Sequence, residues 1–193
     1  MMNESTKQSA WRDGEVNTET ECGLARREPC QVKHIISARH SRTSANIRLS
    51  IPLIKHCVRI ALLCEHADIP CEVSVLITDD RGICELNREY RGVEKSTDVL
   101  SFPMQEFCPP GWANPGNDAI HPETGLLPLG DIVLSAERVE KQARENFQTR
   151  ERETAYLTVH SVLHLLGYDH IDEAKDKKLM REREKAIMRE MGY

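Results

Sequence analysis

HSVLHLLGYDH, residues 160–170, contains three leucines, one glycine and three of the chain's eight histidines. His160 and His164 are four residues apart, so on an α-helix, which turns ~100° per residue, they face the same way one turn apart. Gly167 follows the apolar run, and glycine accepts the left-handed conformation that ends a helix and reverses the chain. The segment predicts a core helix that ends where the third histidine can turn back toward the other two.

This spacing indicates a metal site. If the helix continued, His170 would lie roughly 15 Å from His160 along the axis, whereas a zinc–nitrogen bond is about 2.0–2.1 Å. A single helical histidine is usually a surface or a satisfied core residue, but a pair followed by a helix stop and a third imidazole favours a shared ion. Three nitrogen ligands leave the fourth position open, as in catalytic sites, where the ion lowers the pKa of a bound water to about 7.

Strand and helix patterns surround this segment. Strands are predicted at NIRLSIP (46–52), CEVSVLIT (71–78), TDVLSFP (97–103) and LGDIVLS (129–135). Helices are predicted from Pro52 to about Asp68, from Asp79 or Asp80 to about Tyr90, from Ser135 to about Phe147, from about Thr149 to Leu166, and from about Asp172 onward. Because strands and helices interleave without a strict βαβ period, we predict an α+β fold, with one mixed sheet of about four strands covered by helices.

The composition predicts the domain organisation. Residues 1–45 are polar and charged without a helical or strand period, so we expect a disordered polar leader followed by one domain at 46–193. Residues 104–128 hold many prolines and glycines and predict a long loop. Seven cysteines without a C-x-x-C pair favour reduced structural thiols over a disulfide or cysteine–metal framework.

The overall charge restricts the possible partners. A formal charge of −5 and a pI near 5.9 exclude a protein that is basic all over, so a nucleic-acid contact must rest on a local patch. The apolar runs are too short for a membrane span, and the polar start has no signal-peptide core. We therefore expect a cytoplasmic protein without a membrane partner.

Three motifs in order resemble the YbeY family of bacterial endoribonucleases, which act in ribosomal RNA maturation. HSVLHLLGYDH resembles the signature H-G-x-L-H-L-x-G-Y-D-H, although Ser161 stands where the family commonly has glycine. LNREYRGVEKSTDVLSFP (86–103) looks like L-N-x-x-Y-R-x-x-x-x-x-T-[DN]-V-L-S-F-P, and LGDIVLS (129–135) matches L-G-D-I. The similarity covers about residues 46–190.

The resemblance implies a chemistry and a set of partners. It implies a sheet with helices around a metal cleft. It also implies one zinc ion per chain, held by His160, His164 and His170, and metal-dependent cleavage of single-stranded RNA. The implied role is ribosomal RNA maturation, including processing of the 3′ end of small-subunit rRNA, and ribosome quality control. Ribosomal RNA is then the substrate, and ribosomal proteins or assembly GTPases are candidate partners.

Arg91 matches the family's functional arginine. Cleavage develops negative charge on a phosphoryl group, which a guanidinium can bind bidentately and stabilise, so we predict a catalytic role. The alternative is a surface arginine that interacts with a helix C-terminus. Arg88 and Lys95 flank Arg91 and could bind substrate as a local positive rim.

Four further polar residues are candidates with a structural alternative. If the resemblance holds, Asp98 and Ser101 border the cleft and contact substrate; otherwise they make hydrogen bonds at the start of a strand. Asp131 and Asp169 could orient a metal-binding histidine through its second ring nitrogen, or only accept from backbone donors.

Two other function classes compete with the nuclease. A zinc peptidase of the H-E-x-x-H type needs a carboxylate beside the first histidine, and Ser161 cannot serve as its general base at neutral pH. A non-catalytic ribosome-binding assembly factor could keep a metal only for stability. Activity of the pure protein on RNA separates these classes.

The final helix carries a run of cations, but acids interleave with them. This arrangement favours a solvated helix face over an RNA-binding patch. The run comprises Lys175, Lys177, Lys178, Arg181 and Arg183.

Overall fold

The computed structural model describes residues 32–41, 47–169 and 174–193. The strands are β1 (Ile35–His40), β2 (Cys71–Thr78), β3 (Val99–Pro103) and β4 (Leu127–Ser135). The helices are α1 (Ile51–Cys64), α2 (Asp80–Arg91), α3 (Ala136–Glu145), α4 (Arg150–Leu165) and α5 (Ala174–Glu190), with a short 3₁₀ turn at Asn117–Ala119.

The four strands form one mixed sheet in the order β1-β2-β4-β3. β1 and β4 both run parallel to β2, and β3 is antiparallel to β4 at the edge. This confirms the predicted α+β class and the number of strands.

Alternation along the strands gives the sheet two different faces. Val75, Ile132 and Ser101 are in register on the face that packs against α1 and α4, where the main core lies. The opposite face is partly covered by α2, in a smaller cluster that contains Ile83 and Leu100. The helix that carries His160 and His164 is therefore packed on one particular face of the sheet.

Helix starts depend on local capping. The side chains of Ser50, Asp79, Ser135 and Thr149 each accept a hydrogen bond from the backbone N–H three residues further on. Such caps satisfy donors that have no partner inside the helix. The predicted starts at Asp79, Ser135 and Thr149 are confirmed.

The beginning of the domain differs from the prediction. NIRLSIP is wrong as a strand: residues 47–50 are not in the sheet, Leu49 is buried against the core, and Ser50 caps α1. The first strand is instead Ile35–His40, inside the expected leader, because parallel pairing with β2 stabilises a sequence whose own alternation is weak. Residues 1–31 and 42–46 lie outside the described residues, so the leader prediction is not tested for them.

The long loop after β3 packs against the end of α4. Gly111 N–H donates to Leu166 O at 3.0 Å, and Trp112 Nε1 donates to Asp68 Oδ1 at 2.8 Å. Phe107 is buried in the core. None of the helices in the described ranges is long and apolar enough to cross a membrane.

Candidate active site

α4 is the central helix of the domain and most of its side chains are buried. Its buried hydroxyls bond within the helix: Thr158 Oγ1 donates to Thr154 O and Ser161 Oγ donates to Leu157 O, both at 2.7 Å. Ser161 is therefore fully buried and already engaged. This geometry also argues against a peptidase, because nothing at position 161 could act as its base.

His160 and His164 lie side by side on one face of α4. Their Nε2 atoms are 3.2 Å apart, and their rings are nearly perpendicular, with centroids 4.6 Å apart. Two nitrogens bound to one tetrahedral zinc at about 2.0–2.1 Å are separated by about 3.3 Å. The pair therefore fits two ligands of one zinc ion.

The chain turns after α4 as predicted. Gly167 has φ +81°, its N–H donates to His164 O, and Tyr168 N–H donates to Leu163 O at 3.0 Å. A Cβ on Gly167 would lie 2.7 Å from Phe107 O, so the loop after β3 also requires glycine here.

The third ligand is not tested by this structure. His170 lies outside the described residues, and across the described ranges no three His, Cys, Asp or Glu side chains form a metal-binding group. Its role as a zinc ligand stays a prediction.

Glu184 of α5 contacts His160 and is not among the residues predicted from the sequence. Its Oε1 lies 2.7 Å from His160 Nδ1, and its Oε2 accepts from Tyr156 OH at 3.3 Å. Burial and the adjacent Glu184 raise the pKa of Tyr156 to about 12, so the phenol stays a proton donor. Tyr156 also stacks on the His160 ring, with centroids 6.1 Å apart. The carboxylate thus contacts the ring nitrogen that faces away from His164.

A sequence signal for Glu184 does exist. It is a buried acid on the apolar side of α5, beside Met180, Ile187 and Met188 at helical spacing. The charged residues on either side of Glu184 instead predict a solvated helix face.

Of the two aspartates proposed for that orienting role, Asp131 is placed elsewhere, whereas the role of Asp169 stays a prediction. Asp131 lies on the sheet face opposite α4, because its neighbour Ile132 points into the main core. It lines a cavity of about 660 Å³ together with Arg39, Ser74 and Phe102. Asp169 is exposed in the turn that precedes His170. The expectation that Asp131 orients a histidine is therefore corrected.

Arg91 ends α2 beside the edge strand of the sheet. Its Nη2 donates to Ser101 O at 3.2 Å, and the rest of the side chain is exposed. Ser101 faces the α4 side of the sheet; it is 9% exposed, and its Oγ has no hydrogen-bond partner within the described part of the chain. Arg88 forms a loose 3.8 Å ion pair with Glu94, and Lys95 is exposed. The structure therefore gathers these cations around one helix end.

Asp98 is engaged in holding β3 and α3 together. Its carboxylate accepts from Val99 N–H, Thr97 Oγ1 and Gln142 Nε2 at 2.9–3.0 Å. Burial alone would raise the pKa of Asp98, but the hydrogen bonds from Gln142, Thr97 and the backbone outweigh it and lower the pKa. This favours the structural alternative for Asp98 over substrate binding.

Comparisons with known proteins agree on one family. The family model described as "Endoribonuclease YbeY" matches residues 36–192. The chain belongs to the YbeY family. It is 54% identical over 125 residues to the endoribonuclease YbeY of Caldicellulosiruptor bescii, covering 63% of this chain and 73% of the relative. It is 44% identical over 142 residues to that of Clostridium kluyveri, covering 71% and 86%.

A solved structure supports the fold. The solution structure of TM1509 from Thermotoga maritima is similar with a TM-score of 0.51 and 27% identity, over 80% of this chain and 87% of that one. The YbeY match runs from β1 to beyond α5, so Glu184 and the histidine pair both lie inside it. It also includes β1, in agreement with the corrected start of the domain.

Proposed function

We propose that this YbeY-family chain is a zinc-dependent endoribonuclease that cleaves single-stranded RNA in ribosomal RNA maturation. Family membership supports the endoribonuclease activity. The observation that supports zinc is the 3.2 Å separation of the two Nε2 atoms, with Glu184 on the far nitrogen of His160. We include processing of the 3′ end of small-subunit rRNA and ribosome quality control in this role.

The protein residues would hold and orient the ion. His160, His164 and His170 would be its ligands, and a bound zinc would supply a Lewis acid and a water of lowered pKa. When His160 donates its Nδ1 proton to Glu184, its Nε2 presents a lone pair on the side of His164. Tyr156 donates to the other carboxylate oxygen and so fixes the orientation of Glu184.

Arg91 would bind the scissile phosphate. A guanidinium offers two parallel N–H donors to a phosphate, which stabilises the charge that develops during cleavage. Its bond to Ser101 O holds the side chain at the β3 edge. Arg88 and Lys95 would contribute a positive rim, and Ser101 remains a candidate contact through its buried hydroxyl.

The proposed substrate sets the place of action. Ribosomal RNA is matured in the bacterial cytoplasm, so we propose a cytoplasmic location, with ribosomal proteins or assembly GTPases as the partners met there. None of these partners is needed for the chemistry described above.

Metal analysis combined with an RNA-cleavage assay tests this function. The full-length protein should cleave a labelled single-stranded RNA. This cleavage should stop after treatment with a chelator and resume when zinc is added. His164→Ala should bind far less than one zinc per chain, whereas His56→Ala, which alters an exposed histidine on α1, should keep it.

Two outcomes would contradict the proposal. Full zinc retention in His164→Ala would contradict the proposed metal site. Zinc-loaded protein that binds RNA without cutting it would favour the non-catalytic assembly factor.

A further inference from the structure

A groove of about 620 Å³ runs between the first half of α4 and the last half of α5. We call it the α4–α5 groove. The residues that give it its character are Arg152, Tyr156, Arg181, Lys185, Arg189 and Tyr193.

The groove opens directly beside the histidine pair. Glu184 and Tyr156 are part of its lining, and both contact His160. An extended ligand in the groove would therefore lead to the candidate active site.

The cations of α5 that face the groove have no ion-pair partner in the described part of the chain. Arg181, Lys185 and Arg189 are exposed and four residues apart, and no ion pair or hydrogen bond engages them within residues 32–41, 47–169 and 174–193. Like charges at this spacing destabilise a helix, so their alignment favours an anionic ligand. The row is ~12 Å long at 1.5 Å per residue, which suits an extended strand rather than a single ion.

The cations of the groove outnumber its acids. Its lining holds Glu153 and Glu184 against Arg152, Arg181, Lys185 and Arg189, and both acids are buried whereas the three cations of α5 are exposed. On α5, Glu182 pairs with Lys178 away from the groove. Arg152 and the positive N-terminus of α4 add to the positive electrostatic potential of the groove from its α4 side.

Aromatic residues complete the groove. Tyr193 is 39% exposed at one end, and Tyr156 lies at the other, beside His160. Cationic grooves with aromatic platforms are how proteins hold single-stranded nucleic acid: cations contact phosphates and rings stack on bases.

We propose that the α4–α5 groove binds the single-stranded RNA that flanks the cleaved bond. Arg181, Lys185 and Arg189 contact successive phosphates, and Tyr193 stacks on a base. The inference rests on the proposed nuclease function and extends it to the path of the substrate. It also revises the expected solvated face of the final helix: Lys177 and Lys178 remain outside the groove, whereas Arg181 lines it.

RNA affinity across a salt series tests this placement. The full-length protein is titrated with a short fluorescein-labelled oligouridylate by fluorescence anisotropy, and gel electrophoresis checks that the probe stays intact. Each lost phosphate contact reduces the slope of log affinity against log salt by about 0.7, so Arg181→Gln/Lys185→Gln/Arg189→Gln should reduce it by about 2. The matched control is Lys141→Gln/Lys177→Gln/Lys178→Gln, which removes three exposed cations outside the groove and should change the slope by less than 0.7.

A second variant separates stacking from charge. Tyr193→Ala should weaken binding about fivefold or more at every salt concentration, with the slope unchanged. If the triple variant folds poorly by circular dichroism, Lys185→Gln alone should still reduce the slope by about 0.7.

The outcomes distinguish this inference from the proposed function. Equal slopes for the groove and control variants would overturn the groove as the RNA path, and the metal-dependent cleavage would stand. Loss of slope in the groove variant with normal zinc content supports the inference. An oligouridylate that fails to bind the wild-type protein overturns it, whereas the nuclease is judged separately by its cleavage assay.

Discussion

Glu184 Oε1 and His160 Nδ1 lie 2.7 Å apart, and this contact joins α5 to the helix that carries the histidine pair. Carboxylates in this position fix the tautomer and the orientation of a metal-binding imidazole and raise its basicity. Glu184 is buried, so its contact with His160 is not a solvent-exposed ion pair.

Glu184→Gln should therefore weaken zinc binding. An amide keeps the shape of the side chain but removes its charge, and we expect an affinity loss of about 10-fold, at the low end for such outer-shell changes. Competition with a chromophoric chelator measures it. Glu182→Gln, an exposed acid on the same helix, is the control and should bind zinc as the wild type does; equal affinities for the two variants would rule out the orienting role.

Arg91→Lys should impair RNA cleavage and leave zinc content and melting temperature unchanged. Lysine keeps the charge but loses the planar fork, so we expect a rate loss of about 10- to 100-fold, below that for removing a stabilising donor entirely. Initial rates on one labelled RNA provide the measurement. Arg81→Lys, an exposed arginine in the first turn of α2, is the control. An Arg91→Lys rate equal to that of the wild type would refute the role.

Gly167→Ala should destabilise the fold more than Gly125→Ala. Both glycines have positive φ, which costs a residue with a Cβ about 1–2 kcal/mol, but only at Gly167 would the new Cβ meet backbone, at 2.7 Å from Phe107 O. The free energy of unfolding in urea should fall by about 1–2 kcal/mol for Gly125→Ala and by more for Gly167→Ala. Similar losses would show that the loop moves away without cost.

Tyr168 should make the fold sensitive to alkaline pH. Its hydroxyl donates to Glu65 Oε2 at 2.8 Å, while Arg183 Nε donates to Oε1 of the same buried carboxylate at 2.7 Å. Burial, then the hydrogen bond and charge of Glu65, raise the pKa of Tyr168 from 10.0 to about 12. The folded state therefore keeps a proton that the unfolded state releases between these values, so stability present below pH 10 is lost as pH rises toward 12.

Urea unfolding at several pH values near and above pH 10, followed by tryptophan fluorescence, measures this loss. Tyr168→Phe should be less stable at neutral pH by about 1.5–3 kcal/mol, because a hydrogen bond to a charged group is removed. Its stability should then fall less steeply than that of the wild type at high pH. Parallel curves for the two proteins would show that Tyr168 does not contribute to the pH dependence.

Features that depend on neighbouring residues could be predicted from the sequence. Asp79, Ser135 and Thr149 cap helices through bonds to residues three positions away, and Gly167 ends α4 because its own backbone conformation requires glycine. The position of His160 and His164 on one face of α4 follows from helical spacing alone. The sequence predicts β2 with its observed bounds because CEVSVLIT is rich in β-branched residues.

Only the tertiary structure decided features that depend on distant partners. β1 is a strand because it pairs with β2, more than 30 residues away in sequence, and its own residues carry only a weak pattern. Asp131 is separated from His160 because α4 packs on the face that Ile132 occupies. Alternation within β4 shows which residues share a face, but not which face the helix covers. Glu184 reaches His160 across 24 residues because the packing of α5 on α4 buries it there. Local bonds and backbone conformations are encoded in a few consecutive residues, whereas the choice of a face or a partner is settled only when the whole chain has buried its apolar surface.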